Sequence, residues 1–382
     1  MKQILKYILF LFPLIILLLP EWYLPILTKN KPAWQSSILG GTFQKTDRPA
    51  WEVPTWLMGR FQDKYEEHLK TQSTNASFFV RRRNQLYYQL FESIPSANVT
   101  AGKENTFHQT FYCNEYIGQD FKGHAFLEEL AKKVEKVNQS LLQKGKHLLV
   151  LLPPGKARVL PHTLPTFYQK NASRNTNWEV FSKLLEEKKI PYLNYQAFID
   201  SPDQYEHPIY PQLGLHWSYY GAAVAAELSK QKIEQLLDKK LPKMDYSEVE
   251  LSTKLKGEDR ELLNGANLMH FPEILPMPYP TISYQSDSST YKPRVLIVGD
   301  SFYKLQFNLG VQQALFDEQS SFWYYNSNSL PQGKRVNQEN LQEVIESTEI
   351  ILLSHAEINI HRTGFGFLDQ LIALFEEEEL KK

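Results

Sequence analysis

The chain has 382 residues, with 42 Lys and Arg against 43 Asp and Glu, for a net charge of −1. That length suits one large domain or two ordinary ones, and the balanced charge, with no dominant basic run, excludes a nucleic-acid partner driven by phosphate attraction. A single cysteine, Cys113, excludes an internal disulfide and any zinc site built on several thiolates.

The amino end reads "MKQILKYILFLFPLIILLLPEWYLPILTKN". Lys2 and Lys6 precede an uncharged stretch from Tyr7 to Pro20, and apolar residues resume from Trp22 to Leu27. No small-residue cleavage site follows, so residues 1–29 read as an uncleaved membrane anchor with Trp22 and Tyr23 at the interface, although Pro13 and Pro20 shorten its helix. The expected orientation leaves the bulk of the chain outside the cytoplasmic membrane, as a single-pass protein. Residues 30–79 are rich in Pro, Trp and polar side chains and read as a stem with a short helix after Pro54, and "NQLYYQLF" (84–91) reads as a strand.

From residue 123 the pattern becomes regular. Phe126, Leu127, Leu130, Val134, Val137 and Leu141 fall on one helical stripe that stops at Gly145. "HLLVLLPP" is a buried strand, "NTNWEVFSKLLEEKKI" a helix and "PYLNYQAFI" a second strand. A helix over 220–237, the strand "RVLIVG", a helix at "FNLGVQQALF", the strand "SSFWYYN", a helix at "NQENLQEVIES", the strand "EIILLSH" and a closing helix complete the order. Such alternation predicts an α/β fold with a mostly parallel sheet between helices, and ligands bind past the carboxyl ends of such strands. Those ends carry Pro153–Lys156, Gly299–Ser301, Asn326 and Asn328, and Ser354–Glu357. Residues 238–290 break the rhythm and read as an insertion, a lid or small subdomain beside the site.

Ser301 follows "VLIVGD", where a sharp strand-to-helix turn exposes its hydroxyl beside backbone N–H groups able to hold an oxyanion. A serine needs a base, and His216, in "GLHWSYYGA" at a helix start, is the candidate. A helix-capping serine and a structural histidine are the plainer readings of each motif taken singly. Scattered acids and the lack of an H-x-x-x-H pair argue against a metal site.

Together "GLHW" and "GDSF", in that order and about eighty residues apart, resemble the SGNH-hydrolase-like O-acetyltransferases related to the bacterial alginate O-acetylation proteins. "YIGQDFKG", "LLVLLPPGKARVLP" and "EINIHRTGFGF" extend the similarity over roughly residues 80–382. The resemblance implies an SGNH-like three-layer sandwich, with Ser301 as nucleophile and His216 as base. Trp217 matches the aromatic that follows the base, and Tyr219, Lys156 and Asn326 are candidate substrate contacts. It implies acetyl transfer to hydroxyls of an extracytoplasmic polysaccharide, no bound cofactor, and an acetyl donor delivered by a membrane-bound O-acyltransferase partner. One departure stands out: where the family has Asp two residues before the His, this chain has Gly214. A Ser–His dyad, an acid from elsewhere (Asp203, Glu206, Asp300 or Glu357), or a weak or inactive enzyme all follow from it. The alternatives to a transferase are a carbohydrate acetyl esterase and a non-catalytic glycan-binding subunit of an exopolysaccharide machine.

Overall fold

A computed structural model describes residues 39–40, 47–72, 74–96 and 98–380, so the expected anchor at 1–29 lies outside the described residues. Among the described residues, no helix is long and apolar enough to cross a membrane. The chain divides into two units, residues 1–96 with 263–271, and residues 97–262 with 272–382.

The first unit is helical. Val53–Leu57, with Pro54 in its first turn, is followed by helices Arg60–Gln72 and Thr74–Phe91. The strand expected at 84–91 is therefore the end of a helix. Its apolar residues pair at helical spacing, Leu86 with Leu90 and Tyr87 with Phe91, whose rings meet at 5.5 Å. Asn84 donates to the Ala266 carbonyl, and Gln85 accepts from the amides of Met269 and His270, which ties 263–271 to this helix.

The second unit holds every strand of the described residues, in chain order β1 (Val99–Ala101), β2 (Phe107–Gln109), β3 (His147–Leu151), β4 (Tyr192–Leu193), β5 (Lys243–Ser252), β6 (Met277–Gln285), β7 (Val295–Gly299), β8 (Ser321–Tyr324), β9 (Asn328–Leu330), β10 (Lys334–Arg335) and β11 (Ile350–Ser354). The central sheet runs β10-β9-β8-β7-β11-β3-β4. Its core of β8, β7, β11, β3 and β4 is parallel, and β9 and β10 add an antiparallel edge. The sheet is thus mixed, with the parallel part as expected. The second strand candidate is short, because "NYQAFI" turns into the helix Gln196–Asp200.

Side chains alternate across the sheet with period two. Leu149, Leu151, Val295, Ile297, Ile350 and Leu352 face the helices Tyr219–Leu237 and Ser301–Asn308. Leu148, Val150, Leu296, Val298, Ile351 and Leu353 face His124–Gln143, Asn177–Glu187 and Phe367–Leu380. Each such burial stabilises by roughly 1.5–3 kcal/mol, and two apolar faces on one sheet give three layers. On His124–Gln143 the buried stripe is Leu127, Ala131, Val134, Val137 and Leu141; Phe126, expected inside, is 44% exposed.

Strand register positions the site. Leu151, Ser354 and Gly299 end β3, β11 and β7 side by side, and Tyr324 ends β8 opposite Gly299. The loops that follow therefore leave the sheet along one edge. The irregular stretch at 238–290 holds the antiparallel pair β5–β6, and the segment between these strands carries Glu258, Asp259 and Glu261.

Candidate active site

β7 ends at Gly299, where the Ser354 carbonyl passes within 2.9 Å of where a Cβ would stand, so this close approach requires glycine. Asp300 caps the helix Ser301–Asn308 by accepting from the Phe302 amide. Its other oxygen accepts from the Ala356 amide at 2.7 Å and from Asn359 Nδ2 at 2.8 Å. Asp300 is completely buried, which pushes its pKa up, while these three donors oppose the shift. It braces the turn that presents Ser301, and it does not bond the imidazole.

The histidine arrives on a loop held from several sides. Ser218 caps the helix Tyr219–Leu237 by accepting from Gly221 N and donates to the Pro208 carbonyl. Lys156 Nζ donates to the carbonyls of Pro211, Gln212 and Gly214 at 2.9, 3.1 and 2.6 Å. Trp217 is fully buried against Tyr195 and Phe302, and Phe302 packs edge-on against His216 at 4.9 Å. The result brings Ser301 and His216 together, with Oγ and Nε2 2.8 Å apart.

The other ring nitrogen, Nδ1, lies 2.8 Å from Glu261 Oε2. Glu261 stands in the segment between β5 and β6, which none of the sequence candidates named. Glu258 lies beside Glu261. Burial disfavours ionisation of Glu261, but the bond to the facing imidazole and its charge outweigh this and hold its pKa low. Burial raises the Glu258 pKa, and the neighbouring Glu261 raises it further. Burial would lower His216, yet the bond and charge of Glu261, with smaller contributions from Glu258 and Asp300, leave its pKa raised.

Tyr325 is the second residue absent from the sequence candidates. It follows β8 in left-handed conformation and lies near the Ser301 hydroxyl and amide. Burial raises its pKa, with Asp300 adding to the effect, so its hydroxyl is a donor. Beyond it opens a cavity of about 900 Å³, lined in part by Phe126, Tyr325, His361, Arg362 and Phe365.

The other candidates fall elsewhere. Glu357 is buried and bonds Arg158 Nε at 2.7 Å, and Arg158 also pairs with Glu115 and Glu179. Asp203 and Glu206 are exposed, and Glu206 approaches His207. Trp217 and Lys156, expected against substrate, are instead buried in the support of the histidine loop. Burial draws Lys156 down to about 7, but its three carbonyl partners use all three ammonium protons, which favours the charged form. Asn326 donates to the Phe365 carbonyl and to Gln370, holding the β8–β9 turn. Tyr219 is half-buried and edge-on to Tyr279.

No protein among curated sequences matches the chain. Solved structures similar to it include the O-acetyltransferase domain of Pseudomonas putida AlgJ, at 17% identity, 72% of this chain, 98% of that chain and a TM-score of 0.48. Pseudomonas aeruginosa AlgX is similar at 13% identity, 71% and 67% coverage and a TM-score of 0.48. Bacillus cereus PatB1 is similar at 12% identity, 63% and 92% coverage and a TM-score of 0.36. The family of the SGNH hydrolase-like domain of the acetyltransferase AlgX matches residues 111–329. That span covers more than half of the chain and contains both Ser301 and His216, so the chain belongs to this AlgX family of SGNH hydrolase-like acetyltransferase domains.

Proposed function

We propose that the chain is a serine O-acetyltransferase that passes acetyl groups to hydroxyls of an extracytoplasmic polysaccharide. The observation that carries this reading is the 2.8 Å approach of Ser301 Oγ to His216 Nε2 at the carboxyl ends of the strands. His216 Nε2 takes the Ser301 proton as Oγ attacks the acetyl carbonyl. The oxyanion is met by the Ser301 amide at the helix start and by the Tyr325 hydroxyl. The imidazolium then gives its proton to the leaving group, and acetyl-Ser301 remains. A sugar hydroxyl next gives its proton to His216 and attacks, and Ser301 recovers its proton as the acetylated glycan departs. The cavity beyond Tyr325 has the size range of ligand pockets, and its lining combines the aromatic rings of Phe126, Tyr325 and Phe365 with charges of both signs, suited to sugar faces and hydroxyls. The reading includes a membrane-bound O-acyltransferase partner as the acetyl source and residues 1–29 as the tether.

The test follows acetyl from a chromogenic acetyl ester to Ser301 and then to an oligosaccharide. The full chain should yield a peptide acetylated at Ser301 and, with acceptor, an acetylated oligosaccharide; Ser301→Ala and His216→Ala should yield neither. Acetate as sole product even with acceptor in excess would make the chain an esterase, and turnover surviving Ser301→Ala would end the serine mechanism.

A further inference from the structure

An imidazole that shuttles a proton works only if one tautomer is held, and a carboxylate on Nδ1 ordinarily holds it. The family motif places that carboxylate two residues before the histidine, where this chain has Gly214. Gly214 has no room for a side chain: a Cβ there would meet the Glu258 carbonyl at 2.4 Å, Pro211 Cγ at 2.6 Å and Asp259 Cα at 2.9 Å. The backbone that fills this space is the same segment that delivers Glu261 to His216. The Leu262 amide donates to the Leu213 carbonyl, which fixes the segment on the histidine loop. Loss of the motif side chain and arrival of the new one are two aspects of one packing arrangement.

We propose that Glu261, carried by the connection between β5 and β6, is the positioning residue for His216 in place of the missing motif aspartate. Its Oε2 lies 2.8 Å from His216 Nδ1, placed to accept the proton of that nitrogen. The ligand atoms of His216, Glu258 and Glu261 lie within 4.8 Å of one another. The inserted connection is in this way a working part of the site rather than a cover over it. The proposal rests on the reading of Ser301 and His216 as the reacting pair.

The pH profile gives a readout that a merely structural role would not move. His216 faces Glu261 and Glu258 from the inserted segment, Asp300 from the end of β7 and the Ser301 hydroxyl, and the Phe302 ring packs edge-on against it. With Glu261 ionised the imidazole is held above its ordinary value of 6.5, so activity rises with pH through that higher value. Without the carboxylate, burial alone pulls the imidazole down, and the acid limb moves to lower pH.

The experiment compares the full chain with Glu261→Gln, Ser301→Ala, the double variant of these two, and Glu261→Gln combined with Gly214→Asp, on a chromogenic acetyl ester. We expect Glu261→Gln to lower kcat on the order of 10³-fold with KM nearly unchanged, and to shift the acid limb downward. In the Ser301→Ala background it should cost nothing further, because the two act as one unit. Gly214→Asp should not restore Glu261→Gln, since its side chain has no space. A loss of kcat below about tenfold, or an unmoved acid limb, overturns the assignment to Glu261; recovery with Asp at 214 overturns the relocation. If Ser301→Ala keeps full activity, the reading of the reacting pair fails instead, and the two failures are told apart by that one variant.

Discussion

Arg158→Leu tests how the carboxyl ends of the strands are held. The guanidinium bonds Glu115 at 2.9 Å, Glu357 at 2.7 Å and Glu179 at 3.2 Å, and lies 4.7 Å from the centre of the Trp178 ring. The Glu115 and Glu357 side chains have no exposed surface, whereas Glu179 is 34% exposed and its bond is worth no more than about 1 kcal/mol. Burial, followed by the facing Glu357, holds Glu115 well above the usual carboxylate range, and the buried negative charge rests against Arg158. Removing Arg158 strands that charge, at about 3–5 kcal/mol. A native carboxyl with a raised pKa favours folding most below the unfolded value and loses that contribution as pH rises through the native value. The deficit should therefore be larger near neutral pH than at about pH 5, because a buried carboxyl with a raised pKa is penalised more as pH rises. Urea unfolding of the full chain, followed by tryptophan fluorescence at both pH values, measures it. A deficit under about 1 kcal/mol, or one that does not change with pH, would refute the reasoning.

Two further substitutions test the site itself. Tyr325→Phe removes the hydroxyl beside Ser301 and should lower kcat on the order of 10²-fold with KM little changed, read by steady-state hydrolysis of a chromogenic acetyl ester. Lys156→Met releases three loop carbonyls and should lower kcat at least about tenfold together with the melting temperature; a raised KM with unchanged kcat would mean that Lys156 reaches substrate.

The five strands of the parallel part and the two-faced sheet were legible because each is written in local apolar runs and turn residues, whereas β1, β2, β5, β6, β9 and β10 were not read as strands. Ser301 was legible for the same reason, since a polar triplet at the end of a buried strand has few places to point. His216 was legible from its place before a well-marked helix. What failed depended on orientation or on distant return of the chain. Trp217 and Lys156 sit beside motif residues in sequence, but neighbours along a chain turn to different sides, and both turn inward. Glu261 lies 45 residues beyond His216, and only the folding back of the β5–β6 connection brings it near. The one available signal was a conjunction: an empty acid position at Gly214 and an acid-rich "GEDRE" at 257–261 inside an insertion already placed beside the site.

Which acid serves the histidine is decided by donors rather than by proximity to a motif. Asp300 adjoins Ser301 in the chain, yet its oxygens are taken by two backbone amides and by Asn359, which leaves it as a brace. Glu357 follows a neighbouring strand, yet its charge is matched by Arg158. Each therefore has a partner that would have to be given up before it reached the ring, at a cost of about 1–3 kcal/mol per buried bond lost. Glu261 meets no lysine or arginine among the described residues; the donor it meets is the imidazole at 2.8 Å. A carboxylate so placed gains most of its charge stabilisation when His216 takes a proton, which is the moment the reaction needs it. The three acids are thus separated by what they already hold: Glu357 a cation, Asp300 three fixed neutral donors, and Glu261 the imidazole that takes the proton.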